Sequence, residues 1–170
     1  MASEELSYRM RPATLQDLVA LRQLGSSTLA HPDGKGRKEG HRGAAQRGEI
    51  LLLERYDSRL RDFRISAFID WHIRVDDVLT IRDAGTEGEA PHAGMVKNLV
   101  MELIRSLSPI EATLKVRADA GEWNEIIQGV AGFEIEGREY RRPHWINVWR
   151  WTREAAAQAA RSTRAPRFRR

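Results

Sequence analysis

The chain of 170 residues carries the stretch EAPHAGMVKNLVMELI at positions 89–104, where a short loop leads directly into an apolar helix. Apolar side chains recur at helical spacing from about Met95 to Leu107, and Pro109 ends the pattern. The first turn of a helix has free N–H groups and the positive end of the helix dipole, and both favour an anion. This arrangement suits a phosphate group.

The segments on either side of this helix show strand and helix patterns in turn. Thr14 is predicted to begin a helix, with Asp17 in the capping-box position, and a polar, glycine-rich loop covers 30–48. Further patterns predict a helix in EWNEIIQGVA and strands in YRM, EILLLER, the alternating run 64–75, DVLTIRDAG, IEATLKV, FEIEGREY and HWINVWRW. The predicted order is β-α-β-β-β-α-β-α-β-β, an α/β (α+β) fold.

Composition excludes several classes of protein. The chain is 41% hydrophobic, which is enough for one globular domain, predicted over 1–152. It has no cysteine, so disulfides, thiolate zinc sites and a cysteine nucleophile are excluded, and the histidines show no metal-binding spacing. For the same reason we expect no metal. The N-terminus is acidic and no long apolar run occurs, which predicts a soluble, cytoplasmic protein with no membrane partner.

Positive charge is concentrated at the C-terminus. Residues 153–170 hold six arginines and one glutamate, a net charge of +5, whereas the whole chain carries +4, which leaves about −1 for residues 1–152. The segment is interpreted as a tail with a helical start and a disordered end, or as an electrostatic arm for nucleic acid or an acidic partner. Further basic residues lie in the polar loop, at Lys35, Arg37, Lys38, Arg42 and Arg47.

Three segments resemble one family in their order and spacing. These are MRPATLQDLVALRQL at the start, HAGMVKNLVMELI at the centre, and Gly132-Phe133 between a helix and the last two strands. Over residues 8–151 the chain resembles the GNAT (general N-acetyltransferase) acyltransferase superfamily. The resemblance implies a mixed, mostly antiparallel central sheet flanked by helices. It also implies transfer of an acetyl or other acyl group from acyl-CoA to an amine acceptor.

The resemblance also implies a site for the cofactor pyrophosphate. In the family, backbone N–H groups of a (Q/R)-x-x-G-x-(G/A) loop bind it at the start of the central helix. This chain has Pro91, Gly94 and Val96 at the three motif positions, so only the first glycine is kept. Proline supplies no donor, and a branched side chain crowds the main chain. We expect acetyl-CoA or another acyl-CoA to contact Gly94, Met95, Val96 and Lys97.

Candidate catalytic residues lie on the neighbouring elements. DVLTIRDAG corresponds to the family's fourth strand, whose end lies beside the thioester, and Asp83 near that end is a candidate general base or a solvated turn residue. The family's usual general acid, a tyrosine, aligns with Gln128, which cannot donate a proton in this way. Asp70 and His72 are predicted to form either a carboxylate–imidazole relay or a pair of neighbours on an exposed sheet surface. His92, in the loop before the central helix, is either a contact for a phosphate or a solvated loop residue.

The last strand carries a row of tryptophans. Trp145, Trp149 and Trp151 lie on one face, where they form a ligand platform or are buried in the core or in a homodimer interface. The sequence thus predicts an acyltransferase acting on an amine. The alternative is a catalytically inactive GNAT-like binding or structural subunit. A third hypothesis is association with nucleic acid through the C-terminal tail and the basic loop of residues 35–47.

Overall fold

A computed structural model describes residues 7–34 and 40–163. The strands are β1 Tyr8–Pro12, β2 Ile50–Asp57, β3 Asp62–Ile73, β4 Val78–Thr86, β5 Glu111–Arg117, β6 Phe133–Arg141 and β7 His144–Thr152. A 3-10 turn covers Leu15–Asp17, and the helices are α1 Leu18–Gln23, α2 Arg42–Gln46, α3 Ala93–Leu107, α4 Gly121–Gln128 and α5 Arg153–Ser162. The predicted order of elements is confirmed, and α2 is an additional short helix in the polar loop.

The strands of the described residues form one sheet in the order β1-β2-β3-β4-β5-β7-β6. Neighbouring strands run antiparallel except β4 and β5, which are parallel because α3 connects them as a crossover. The predicted mixed, mostly antiparallel sheet with flanking helices is therefore confirmed.

Helices cover both faces of the sheet. On one face, the apolar stripe of α3 packs with α4 against side chains such as Ile69, Ile81 and Leu114. On the other face, α1 and α2 cover a smaller cluster around Leu52 and Phe68. The residues of α3 that form its buried stripe are Met95, Val96, Leu99, Val100 and Leu103. The centre of β3 is thus buried on both faces, which its alternating sequence did not indicate.

An ion pair fixes the beginning of the first helical segment. The Arg11 guanidinium donates to both carboxylate oxygens of Asp17 at 2.8 and 2.9 Å. The Thr14 N–H donates to the same carboxylate at 2.7 Å, as a capping box requires. The hydrogen bond from Arg11 is the largest cause that lowers the pKa of Asp17, to about 2.

We expect Asp17→Asn to lower the free energy of unfolding at pH 7 by about 1–2 kcal/mol. Because the folded pKa of Asp17 lies below its ordinary value of 3.8, its carboxylate stabilises the fold above pH 3.8 and loses this effect as the pH falls through about 2. Urea unfolding at pH 7 and pH 2 measures the difference. Asp76→Asn is the control, since Asp76 pairs with Arg74 on the exposed surface. An equal effect of Asp17→Asn at both pH values would contradict the charge-based explanation.

The C-terminal helix packs onto the domain. Thr152 caps α5 by accepting the Ala155 N–H at 3.1 Å. Gly132 has a φ of 97°, and a Cβ atom there would lie 2.6 Å from Trp151 Nε1 and 2.8 Å from Ala156 Cβ. The glycine of Gly132-Phe133 therefore lets α5 approach the sheet. The predicted disordered end falls on residues 164–170, outside the described residues, as do Lys35, Arg37 and Lys38 of the polar loop.

No helix among the described residues is long and apolar enough to cross a membrane.

Candidate active site

The site is built where β4 and β5 separate. The two strands pair only from Val78 with Glu111 to Ile81 with Leu114. Beyond Ile81, β4 continues to Thr86 along β3, while β5 pairs with β7 on its far side. The edge of β4 that faces β5 is thus free for another partner after Ile81.

A β-bulge lies at this separation. On β3, Trp71 pairs with Ile81 and Asp70 pairs with Asp83, so Arg82 is the extra residue of β4. A bulge changes the alternation of side chains between the faces of a sheet and often lies beside a functional site. Here it places both Arg82 and Asp83 on the face that carries Asp70.

Asp83 is buried among hydrogen-bond donors. Its Oδ1 accepts the Ala30 N–H at 3.0 Å and the Ala84 N–H at 2.9 Å. Its Oδ2 lies 3.8 Å from Nε2 of His41. Burial raises the pKa of the Asp83 carboxyl, because the charged form loses its solvation. The interpretation of Asp83 as a solvated turn residue is therefore wrong.

His41 connects Asp83 with Asp70. The Nδ1 atom of His41 lies 3.3 Å from Asp70 Oδ2, and the ring contacts Phe68 edge-on at 4.9 Å between centroids. Arg82 Nε donates to Asp70 Oδ1 at 2.9 Å. Only 8% of His41 is exposed to solvent. The structure therefore contains a carboxylate–imidazole–carboxylate cluster made by His41, Asp70 and Asp83.

Both sequence interpretations of Asp70 and His72 need correction. Asp70 is buried and contacts His41 and Arg82, whereas His72 Nδ1 lies 3.0 Å from a Glu49 carboxylate oxygen. The histidine beside Asp70 is His41, which lies within the polar loop directly before α2, and α2 packs over this face of the sheet. The two residues are thus neither a relay with each other nor an exposed pair.

Residues 25–30, which we call the strap, occupy the free edge of β4. The Leu29 N–H donates to Ala84 O at 2.8 Å, and Thr28 forms an antiparallel bridge with Gly85. The side chain of Leu29 is 1% exposed and joins the core formed by α3, α4 and the sheet. The strap therefore acts as a short additional strand where β5 has moved away.

Further contacts hold the strap between β4, α3 and α4. Ser26 Oγ donates to Glu89 O at 3.3 Å, and Trp123 Nε1 donates to Ser27 Oγ at 3.0 Å. Gly25 has a φ of 69°, and a Cβ atom there would lie 2.3 Å from Thr86 O. The strap thus contacts the end of β4, the loop before α3 and the beginning of α4.

The N-terminus of α3 is capped by His92. Its Nδ1 accepts the Met95 N–H at 3.2 Å, and its carbonyl oxygen accepts the Val96 N–H at 3.2 Å. The His92 N–H donates to Thr86 Oγ1 at 2.8 Å, so this histidine is not simply a solvated loop residue. The N–H groups of Met95 and Val96 therefore have partners within the protein in this conformation, and their contact with acyl-CoA stays a prediction. Lys97 and Gly94 lie on the exposed side of the first turn.

The fold is similar to that of solved acetyltransferases. A GNAT-family acetyltransferase from Bacillus cereus ATCC 10987 has a TM-score of 0.63 and 11% identity over 86% of this chain and 97% of that chain. A proposed streptothricin acetyltransferase from Bacillus anthracis str. Ames, in complex with acetyl coenzyme A, has a TM-score of 0.64 and 11% identity over 86% of this chain and 98% of that chain. Aminoglycoside acetyltransferase AAC(6')-Ib, in complex with coenzyme A and kanamycin, has a TM-score of 0.61 and 16% identity over 94% of this chain and 100% of that chain. No family sequence model and no curated protein sequence matches the chain.

The chain has the GNAT fold. Gln128, which the resemblance aligns with the family's tyrosine, lies at the C-terminal end of α4 and is exposed. The tryptophan row is divided: Trp149 and Trp151 belong to the core, and Trp145 is 56% exposed beside Tyr140. The row is therefore not a continuous ligand platform.

Sequence reasoning missed the strap and His41. The strap binds β4 through backbone groups, which leave no side-chain pattern. His41 lies in a glycine-rich segment without periodicity, 29 residues before Asp70. No group of three or more histidine, aspartate or glutamate side chains in residues 7–34 and 40–163 is arranged to hold a metal ion.

Proposed function

We propose that this protein is an acyltransferase that moves an acetyl or other acyl group from acyl-CoA to an amine. The observation that carries the proposal is the buried Asp83 at the bulged end of β4, in a GNAT fold. The family resemblance assigns this end of the strand to the thioester. A carboxylate with a raised pKa is better matched to accept a proton near neutral pH than a solvated one is.

Asp83 acts as the general base in this proposal. The amine nitrogen attacks the acyl carbon, so the C–N bond forms and the C–S bond breaks. Asp83 removes the proton that the nitrogen must lose, and the thiolate takes its proton from water because Gln128 supplies none. The strap now lies along this edge and donates the Leu29 N–H to Ala84 O. Once it has left, backbone N–H groups at the end of β4 are suited to polarise the acyl carbonyl.

The residues at the start of α3 fit a pyrophosphate only after a local change. We propose Gly94, Met95, Val96 and Lys97 as the binding segment. The Met95 N–H becomes available when the His92 ring rotates away, and Lys97 supplies a positive charge nearby. In the conformation described, the His92 ring accepts the Met95 N–H, and the strap lies along the edge of β4. Acyl-CoA binding thus requires the strap to leave β4.

The amine acceptor is proposed to enter from the face of the sheet opposite to α3. A surface cleft of about 320 Å³ opens there beside the separation of β4 and β5. Leu29 and Ala30 of the strap form part of its wall, together with Arg82 and Lys115. Departure of the strap would therefore connect this cleft with Asp83, whose Oδ1 the Ala30 N–H now contacts.

Acetyl-CoA at 100 times its Kd is expected to raise the free energy of unfolding by about 2.7 kcal/mol. Urea unfolding with and without acetyl-CoA measures this increase, and calorimetry measures the Kd. A chromogenic disulfide follows the release of the coenzyme A thiol with a panel of amines. The cysteine-free chain gives no thiol background. Coenzyme A without an acyl group is the control, since it binds without releasing further thiol. Absence of binding at millimolar acetyl-CoA would refute the enzyme and leave two hypotheses, the inactive GNAT-like subunit and association with nucleic acid.

The other expectations concern partners and location. A homodimer, nucleic-acid association through residues 153–170 and a cytoplasmic location remain predictions from the sequence. Truncation after Thr152 would also remove α5, whose Ala156 packs on the core. A chain that ends at Thr163 is therefore the better test of the arginine-rich end. Loss of salt-sensitive RNA or DNA binding in that shorter chain would support the nucleic-acid hypothesis.

A further inference from the structure

On the basis of the proposed function, we propose that His41 is a positioning residue that takes the proton from Asp83, with Asp70 fixing its tautomer. The two ring nitrogens face carboxylates on neighbouring strands: Nδ1 lies 3.3 Å from Asp70 Oδ2, and Nε2 lies 3.8 Å from Asp83 Oδ2. A histidine that only anchored α2 would need one such partner. This ring has two, and one of them is the proposed base.

Asp70 selects which nitrogen of His41 carries the hydrogen. As a carboxylate it can only accept, and Arg82 already donates to its Oδ1 at 2.9 Å. Arg82 is itself held by Glu49 at 2.6 Å. The remaining oxygen of Asp70 faces His41 Nδ1, so Nδ1 donates and the lone pair of Nε2 points towards Asp83. The edge contact with Phe68 keeps the ring in this plane.

The proton balance of the reaction then includes three groups. The amine proton moves to Asp83 Oδ2 and from there to His41 Nε2, while the C–N bond forms and the C–S bond breaks. The imidazolium that forms lies between the carboxylates of Asp83 and Asp70. It returns its proton to water after the product leaves, and the thiolate is protonated by water. Asp83 is thereby restored as a base before the next turnover.

The tautomer can be measured without any activity. The ¹⁵N chemical shifts of the labelled His41 ring should show hydrogen on Nδ1 and a free Nε2 in the unchanged protein. Asp70→Asn should increase the Nε2–H form, because an amide can donate to Nδ1. Hydrogen on Nε2 in the unchanged protein would overturn the proposal, whether or not the chain proves to be an acyltransferase.

Kinetics separates proton transfer from mere support of the fold. His41→Gln should lower kcat by about 100-fold or more and alter the shape of the pH–rate profile, with KM for acetyl-CoA within about twofold. His144→Gln is the matched control, since His144 also faces a carboxylate, Asp119 at 4.0 Å, but its side chain is 38% exposed. Unchanged kcat, or a loss of kcat with the same pH profile, would overturn the proposal. If His41→Gln fails to fold, Asp70→Asn is measured in the same way.

Absence of thiol release by the unchanged protein has a different meaning. It would refute the proposed acyltransferase and with it the role of His41 in turnover. A normal rate in the unchanged protein with a normal rate in His41→Gln would refute only the role of His41. The two failures are therefore distinguishable.

Discussion

Gly25→Ala should tighten acetyl-CoA binding by about tenfold. The added Cβ would lie 2.3 Å from Thr86 O, a distance at which the strap and the end of β4 cannot both stay in place. Once the strap has left β4, the same methyl group has no such contact. The substitution therefore destabilises the closed conformation and spares the open one.

The size of the effect follows from the populations. If acyl-CoA binds only when the strap is open, the measured Kd is the intrinsic Kd divided by the open fraction. A closed state favoured by about 1.4 kcal/mol leaves roughly one molecule in ten open. The hydrogen bond from Leu29 to Ala84 and the burial of the Leu29 side chain are large enough contacts to supply such a preference.

Gly48→Ala is the matched control. Gly48 has a φ of 70°, against 69° for Gly25, so alanine suffers the same left-handed strain of about 1 kcal/mol at either position. No atom lies within 4 Å of a Cβ built on Gly48. Calorimetric titration of the three proteins thus separates loss of the closed strap from general destabilisation.

Three outcomes have different consequences. Tighter binding by Gly25→Ala alone supports a strap that competes with the cofactor. Equal and measurable Kd values for all three proteins would show that the strap does not compete, while the acyltransferase proposal would stand. If none of the three binds acetyl-CoA, the proposed function fails.

The sequence predicted the fold well because burial leaves a periodic pattern. Val96, Leu99, Val100 and Leu103 recur at helical spacing, and each is buried in α3. Turns and strand ends were also marked by glycine and proline, so the order of elements followed. Backbone pairing without side-chain periodicity left no such signal. Leu29 looks like one apolar residue just before a polar loop, although it completes the sheet edge.

The candidate site was only partly predictable for a related reason. Asp83 was selected from its position near the end of a strand, but its burial depends on a bulge at Arg82 that no residue type announces. In DVLTIRDAG, regular alternation would put Arg82 and Asp83 on opposite faces. Only the three-dimensional register shows that Arg82 reaches Asp70 and that Asp83 reaches His41.

Asp83→Asn should lower kcat by about 100- to 10,000-fold while KM for acetyl-CoA stays within about twofold. The amide cannot accept the amine proton. Its oxygen can still accept the Ala30 and Ala84 N–H groups that now contact Asp83 Oδ1. The substitution thus removes the charge and keeps the anchoring contacts. Thiol release with the best amine of the panel measures the rate.

Asp62→Asn provides the control, since Asp62 is an exposed aspartate on β3 that accepts the N–H of its neighbour Phe63. We expect its kcat to match that of the unchanged chain. An unchanged kcat in Asp83→Asn would show that Asp83 supports the fold and is not the base.

The stability advantage of Asp83→Asn over the unchanged chain should grow as the pH rises. Because burial raises the folded pKa of Asp83, the protonated carboxyl favours the fold below the ordinary pKa of 3.8, and this contribution is lost as the pH rises through the folded value. Asparagine resembles the protonated form at every pH. Its free energy of unfolding should therefore exceed that of the unchanged chain at pH 8 and approach it at low pH. A variant that loses turnover while gaining stability identifies a carboxylate whose buried charge serves the reaction at the expense of the fold.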